Sequence, residues 1–152
     1  MEHPKHVVVV GCLIRNRAGE VLLIRHPRRG WEIPQGRVEE GEDLVAAAHR
    51  EVLEEAGVEM NLGPLAAVWS MTASPASIIF NFLADYRGGE LRPSEESLEL
   101  GWFSAEEALG YVTHPVNLDR LRTLLAYSGS VVYRAYAPKP YQVQVEAVFS
   151  SI

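Results

Sequence analysis

Residues 36–58 read GRVEEGEDLVAAAHREVLEEAGV, and this stretch decides both the fold and the chemistry of the chain. It holds seven of the twenty acidic residues: Glu39, Glu40, Glu42, Asp43, Glu51, Glu54 and Glu55. From about Asp43 to Ala56 the pattern predicts a helix. An acidic start suits the positive end of the helix dipole, and Gly57 is a natural residue just past a helix end. On a wheel of about 100° per residue, Val45, Val52, Leu53 and Ala56 fall on one side. Glu51, Glu54 and Glu55 share an arc on another, with Leu44, Ala47 and Ala48 above them. Like charges at i,i+3 and i,i+4 destabilise an isolated helix by about 0.2–0.5 kcal/mol per pair. Only Arg50, four residues before Glu54, offsets this locally. Three carboxylates gathered against that cost are what a hard divalent cation takes: anionic oxygen ligands at short range.

Working outward, the chain predicts strands on both sides of this helix. Val7 to Asn16 is a β-branched run expected to be buried on both faces, and Val21 to His26 follows across the turn Asn16-Arg17-Ala18-Gly19, so the two are expected to form a hairpin. Trp31 to Ile33 is a short extended piece before Pro34. Leu65 to Thr72 and Ser77 to Tyr86 are further strands, the latter with Ile78, Phe80, Phe82 and Ala84 on one face. Ser104 to Glu107 has the form of a capping box opening a short helix. Pro115 to Tyr127 predicts a longer one, with Leu118, Leu121, Leu124 and Leu125 at helical spacing. Val131 to Tyr136 and Gln142 to Phe149 flank Ala-Pro-Lys-Pro and predict a terminal hairpin. A two-stranded hairpin is marginal alone in water, so it is expected to dock on its own domain or on a second copy in a homodimer. Strands alternating with helices make an α/β layered domain around a mixed sheet.

Length and composition bound the function. One hundred and fifty-two residues is one domain. A net charge of −6 excludes a broad basic footprint for nucleic acid. The single cysteine, Cys12, excludes an intrachain disulfide and a multi-cysteine zinc site, and its apolar neighbours predict a buried side chain. The longest apolar run, Val7 to Ile14, is eight residues, too short to span a bilayer, and Arg-Asn-Arg follows it instead of a cleavage site of small residues. The expected compartment is the cytoplasm.

Gly36, five residues, Glu42, seven residues and Arg50-Glu51-Val52-Leu53-Glu54-Glu55-Ala56-Gly57-Val58 match every fixed position of the Nudix box, and Trp31-Glu-Ile-Pro34-Gln-Gly36 resembles its usual lead-in. The chain resembles the Nudix hydrolases over about residues 5–127, with an added strand-forming tail from about 130 to 152. The resemblance implies an α/β/α sandwich around a mixed sheet. It also implies an Mg²⁺- or Mn²⁺-dependent hydrolase that cleaves the pyrophosphate bridge of a nucleoside diphosphate linked to another group. In that family Glu54 and Glu55 carry most of the metal, Glu51 serves as ligand or base, the carbonyl of Gly36 can be a ligand, and Arg50 and Glu42 support the glutamates.

Outside the box, Arg25, Arg28 and Arg29 are candidates to grip phosphate, and Trp31, Trp69 and Phe80 to stack on a base. His49 is expected to pack on the helix's apolar side. The acidic loop before Trp102-Phe103 resembles one from which the family draws a ligand or base, and the spacing falls on Glu96, with Glu99 second; Glu51 stays the alternative base. The substrate is read weakly. Pro75, seventeenth after Val58, lies near the position of a proline that marks many ADP-ribose hydrolases, and no tyrosine stands where dinucleoside polyphosphate hydrolases carry one. ADP-ribose or a nucleotide sugar is favoured. Nucleoside triphosphates, dinucleoside polyphosphates and RNA 5′ ends follow, a capped RNA end being the one nucleic-acid partner retained. A nucleotide-sensing or interaction module would be expected to carry a broken box, and this box is intact.

Overall fold

A computed structural model describes residues 2–150. The elements run β1 (Val7–Arg15), β2 (Val21–His26), β3 (Gly30–Glu32), β4 (Gln35–Arg37), α1 (Leu44–Ala56), β5 (Val58–Met71), β6 (Ser77–Gly89), β7 (Glu99–Phe103), α2 (Ala105–Tyr111), α3 (Pro115–Leu125), β8 (Val131–Pro138) and β9 (Tyr141–Phe149). The strands form one sheet of order β3-β2-β1-β6-β5-β8-β9, with β4 added on β1 and β7 on β2. The β1–β6 and β5–β8 pairs are parallel and the others antiparallel, so the sheet is mixed, as expected.

Strand periodicity divides the core between two faces. Val10, Cys12 and Ile14 of β1 and Leu22 and Ile24 of β2 pack with Ala47, Ala48, Val52 and Ala56 of α1. The alternate residues Leu13, Val21 and Leu23 join Trp69, Ile79 and the α2–α3 residues Ala108, Val112, Val116, Leu121 and Leu124 on the other side. Helices therefore cover both faces of the sheet, and the apolar β1 run is consumed on both. Burial pushes the Cys12 thiol up to about 12, which leaves it an inert core residue.

Three local expectations change. The β1–β2 hairpin shares only the Arg15–Val21 pair, because the rest of β1 is paired with β6 on one edge and β4 on the other. Helix α1 is rotated relative to the wheel: Ala47, Ala48, Val52, Glu55 and Ala56 face the sheet, while Val45, Leu53 and His49 are exposed. The small alanines let the helix approach the sheet closely, and that rotation carries Glu55 inward. Pro115 begins α3 as expected, but the helix ends at Leu125, two residues early.

The helix ends follow the expected chemistry. The Asp43 carboxylate accepts a 2.8 Å hydrogen bond from the Ala46 amide, and Gly57 takes the left-handed conformation at φ 77°. A side chain at Gly57 would also meet the Glu90 carbonyl at 2.6 Å. Ser104 and Glu107 complete the capping box of α2. The terminal hairpin docks on its own domain. Residues Val132 to Tyr136 of β8 pair with Ala67 to Met71 of β5, and the Tyr141 hydroxyl donates to Asp119 of α3.

Candidate active site

Arg50 organises the acidic patch. Its guanidinium binds Glu42 at 2.7 and 2.8 Å, Glu51 at 2.9 Å, Glu54 at 3.2 Å and the Arg37 carbonyl at 3.1 Å. The Arg50 hydrogen bonds and the Glu39 amide hold the Glu42 carboxyl down at about 2. One cation thus holds the loop and the glutamates together. Among the described residues, three or more His, Cys, Asp or Glu side chains are nowhere gathered tightly enough to grip an ion, since Glu51 and Glu54 are turned to Arg50.

The donor set nevertheless fits a hard cation. Glu55 is 4% exposed, and its Oε1 has no hydrogen-bond partner. Burial first, then the charges of Glu51 and Glu32, push its carboxyl up to about 9. Burial also raises Glu51. A buried, unpartnered carboxylate oxygen costs free energy that a bound cation would recover. Gly36 adds a steric argument: a methyl group there would overlap the Glu51 carboxylate, so the glycine makes room for that side chain.

Glu51 and Gly36 line a cleft of about 630 Å³. Arg28, Arg29 and Glu96 line it too, so four segments predicted from sequence meet there. Glu96 is set by a tight turn in which Ser94 and Ser97 exchange backbone hydrogen bonds, and the buried Ser97 hydroxyl donates to the Glu55 carbonyl. The acidic loop is therefore tied to the helix that carries the glutamates.

Other candidates lie elsewhere. Trp69 is fully enclosed, its indole N–H donating 2.7 Å to Asn81, and the guanidiniums of Arg120 and Arg134 lie over its ring. It cannot stack on a base. Phe80 alternates with the cleft residues Ser77 and Ile79, so it points to the opposite face. There it lines a second hollow of about 710 Å³ with Glu39, Glu40, Glu42 and Asp43 but not Glu51, which faces the cleft; Glu54 and Glu55 line neither. Trp31 packs edge-on against Phe103 and Tyr111. Arg25 and Glu99 are cross-strand partners at 3.3 Å, outside the cleft.

Residues that sequence reading missed complete the cleft. Glu32, 1% exposed, binds Arg29 at 2.7 and 2.9 Å, Gln35 at 3.1 Å and Asn117 at 2.7 Å. His114, Asn117 and Arg120 project from one side of α3, and Tyr136 comes from the terminal hairpin. The one available signal was the i,i+3,i+6 polar stripe of α3, masked by the leucines that mark its core side.

The family model of the NUDIX domain matches residues 5–126. The chain belongs to the NUDIX family. Among curated NUDIX relatives, the 8-oxo-dGDP phosphatase NUDT18 of Danio rerio is 33% identical over 116 residues, covering 71% of this chain and 35% of that protein. The NAD-capped RNA hydrolase NudC of Chromobacterium violaceum is 34% identical over 139 residues, covering 82% and 51%. The chain thus spans about a third to a half of the length of these relatives. Among solved structures, the mutator MutT protein of Bacillus halodurans superposes with a TM-score of 0.75 at 25% identity, covering 93% of this chain and 97% of that one. A NUDIX hydrolase of Nitrosomonas europaea gives 0.71 at 32% identity, covering 80% and 70%.

Proposed function

We propose that this NUDIX domain is a divalent-metal-dependent hydrolase of nucleoside diphosphate derivatives, cleaving their pyrophosphate bond. The observation that carries it is the buried Glu55 carboxyl, whose Oε1 has no partner, beside Glu51 in a chain where every fixed position of the box is kept. That intactness also favours an enzyme over a nucleotide-sensing module. Glu51, Glu54, Glu55 and the Gly36 carbonyl would hold Mg²⁺ or Mn²⁺, which supplies Lewis acidity and charge neutralisation for the phosphates. Arg50 orients Glu51 and Glu54. Arg28 lines the phosphate path; the Arg29 charge is already neutralised by Glu32.

Water attacking phosphorus needs a carboxylate in reach to take its proton. Glu96 suits that role, since it lines the cleft from a loop and is bound to no cation within 4 Å among the described residues. Glu51, held by Arg50, is the second reading. Glu96→Gln is expected to lower kcat by about 10²–10⁴ with little change in KM. A nearly silent Glu96→Gln beside a Glu51→Gln that binds metal but does not turn over would move the base to the helix.

The substrate class is a nucleotide with a second group on its diphosphate. Pro75 stands in the cleft wall, which keeps nucleotide sugars and ADP-ribose among the candidates. The named relatives add oxidised nucleoside diphosphates and capped RNA 5′ ends. Phosphate and nucleotide release from a panel of these with Mg²⁺ tests the proposal, and the absence of metal-dependent turnover on every member would overturn it. A homodimer is the proposed assembly, through the exposed β9.

A further inference from the structure

Within the cleft, one guanidinium has no acid beside it. Arg120 is 5% exposed and lines the cleft, and no carboxylate lies within 4 Å of it among the described residues. Three hydrogen bonds are made by its guanidinium: to Gln35 at 2.8 Å, Asn117 at 3.4 Å and the Tyr136 hydroxyl at 3.3 Å. A guanidinium has five N–H donors, so two are left, and Nε is buried without a partner. Tyr136, 3% exposed, accepts from Arg120 and keeps its own hydroxyl hydrogen to give. Neighbouring Asn117 gives one of its two amide hydrogens to Glu32. A buried charge with spare donors and no counter-ion is costly, and such groups in a cleft point to a ligand.

The surroundings choose the ligand. Val9 and Ile79, register partners on adjacent strands, form a flat apolar floor with Met71, and Val116 stands beside them. Val9 also pairs with Arg37 of β4, so this floor borders the Gly36 end of the cleft; its apolar side chains suit the face of a nucleobase, not a phosphate. Carbonyl oxygens of a base accept from donors; an exocyclic amino group presents hydrogens to them.

We propose that Arg120, held by Tyr136 of the terminal hairpin, is a specificity-determining residue that selects nucleotides whose base carries a keto oxygen, guanine- or uracil-type, over adenine. The assignment rests on the nucleotide reading above and turns it away from ADP-ribose. Arg120 lies within residues 5–126 that match the family model and Tyr136 beyond them, so the added hairpin supplies only the group that holds Arg120.

Calorimetric binding of GMP, UMP and AMP to the full chain tests it without turnover. The wild type is expected to bind GMP, UMP or both about tenfold or more tighter than AMP, the usual scale for a good base contact. The two keto nucleotides then tell purine from pyrimidine. Arg120→Met should bring the three affinities within about twofold, and Tyr136→Phe should lose part of the preference. The melting curve of Arg120→Met checks that it folds; if it unfolds, Tyr136→Phe, which removes one oxygen, carries the same comparison. Equal binding or an AMP preference in the wild type overturns the assignment. So does an Arg120→Met or Tyr136→Phe loss that is equal for all three, which would mark a structural or phosphate role. Selective keto binding without turnover of any diphosphate supports the assignment and sinks only the hydrolase reading.

Discussion

Glu55 shows how one side chain couples burial to the proposed metal chemistry. Its carboxyl is raised from the usual 4.5 to about 9 by burial and by neighbouring acids, so in the metal-free protein it keeps its proton at neutral pH. A cation must displace that proton. Affinity for Mg²⁺ is therefore expected to rise by up to about tenfold per pH unit until pH reaches about 9, with proton release on binding that titration in two buffers of different ionisation enthalpy would count. The sign for stability is opposite. A raised folded-state value favours the fold fully below about 4.5, and that advantage declines as pH rises towards about 9, so the metal-free protein should melt lower at pH 9 than at pH 6. Glu55→Gln mimics the protonated group; it should leave the metal-free melting temperature nearly unchanged while turnover collapses, and near wild-type turnover at low Mg²⁺ would contradict the ligand role. Gly36→Ala puts a methyl group where the Glu51 carboxylate lies; that flexible end turns aside at little cost, so Mg²⁺ binding should weaken while the metal-free melting temperature changes little, read by melting with and without metal. The grouping of Glu51, Glu54, Glu55 and Gly36 was legible because it is written in one contiguous spacing; that they hold metal belongs to the proposed function. Glu32, Asn117, Arg120 and Tyr136 come from separate segments, and each looks ordinary in its own neighbourhood.

Elements were legible where a local signal was complete. The Asp43 cap and the left-handed Gly57 bound α1, and the capping box opens α2 where the sequence put it. Rotation about a helix axis and the choice of face for a strand depend on partners far along the chain. That is why the Phe80 side of β6 and the exposed Val45–Leu53 side of α1 were read as functional or buried. The loop carrying Glu96 depends on the same kind of distant contact, the Ser97 hydroxyl on the Glu55 carbonyl. Ser97→Ala leaves that carbonyl without its partner. It should cost about 1 kcal/mol of stability and lower kcat with less effect on KM, as measured by steady-state kinetics beside denaturant unfolding.

Across the whole molecule, the terminal hairpin leaves β9 as an outer strand. Val143, Val145, Val148 and Phe149 are exposed on it, and its one charged residue, Glu146, is paired with Arg134 at 2.7 Å. Long apolar edges without lysine or proline invite pairing with another chain. Val145→Lys is expected to lower the sedimentation-derived mass of a homodimer to that of one chain while base selectivity is kept. An unchanged monomer mass in both proteins would set the homodimer aside. Truncating residues 130–152 is a poorer test, since it also removes Tyr136 and Arg134 from around Trp69. No described helix is long and apolar enough to cross a membrane.

The β5–β8 pairing bears on how the protein is made. Ala67 to Met71 wait on Val132 to Tyr136, more than sixty positions later, for their edge to be covered. A ribosome delivers α1 and the acidic loop well before it delivers that covering strand. The nascent chain therefore presents α1 and the Glu96 loop while the edge of β5 is still bare, and the Tyr136 side of the cleft is added only after the Glu51 side.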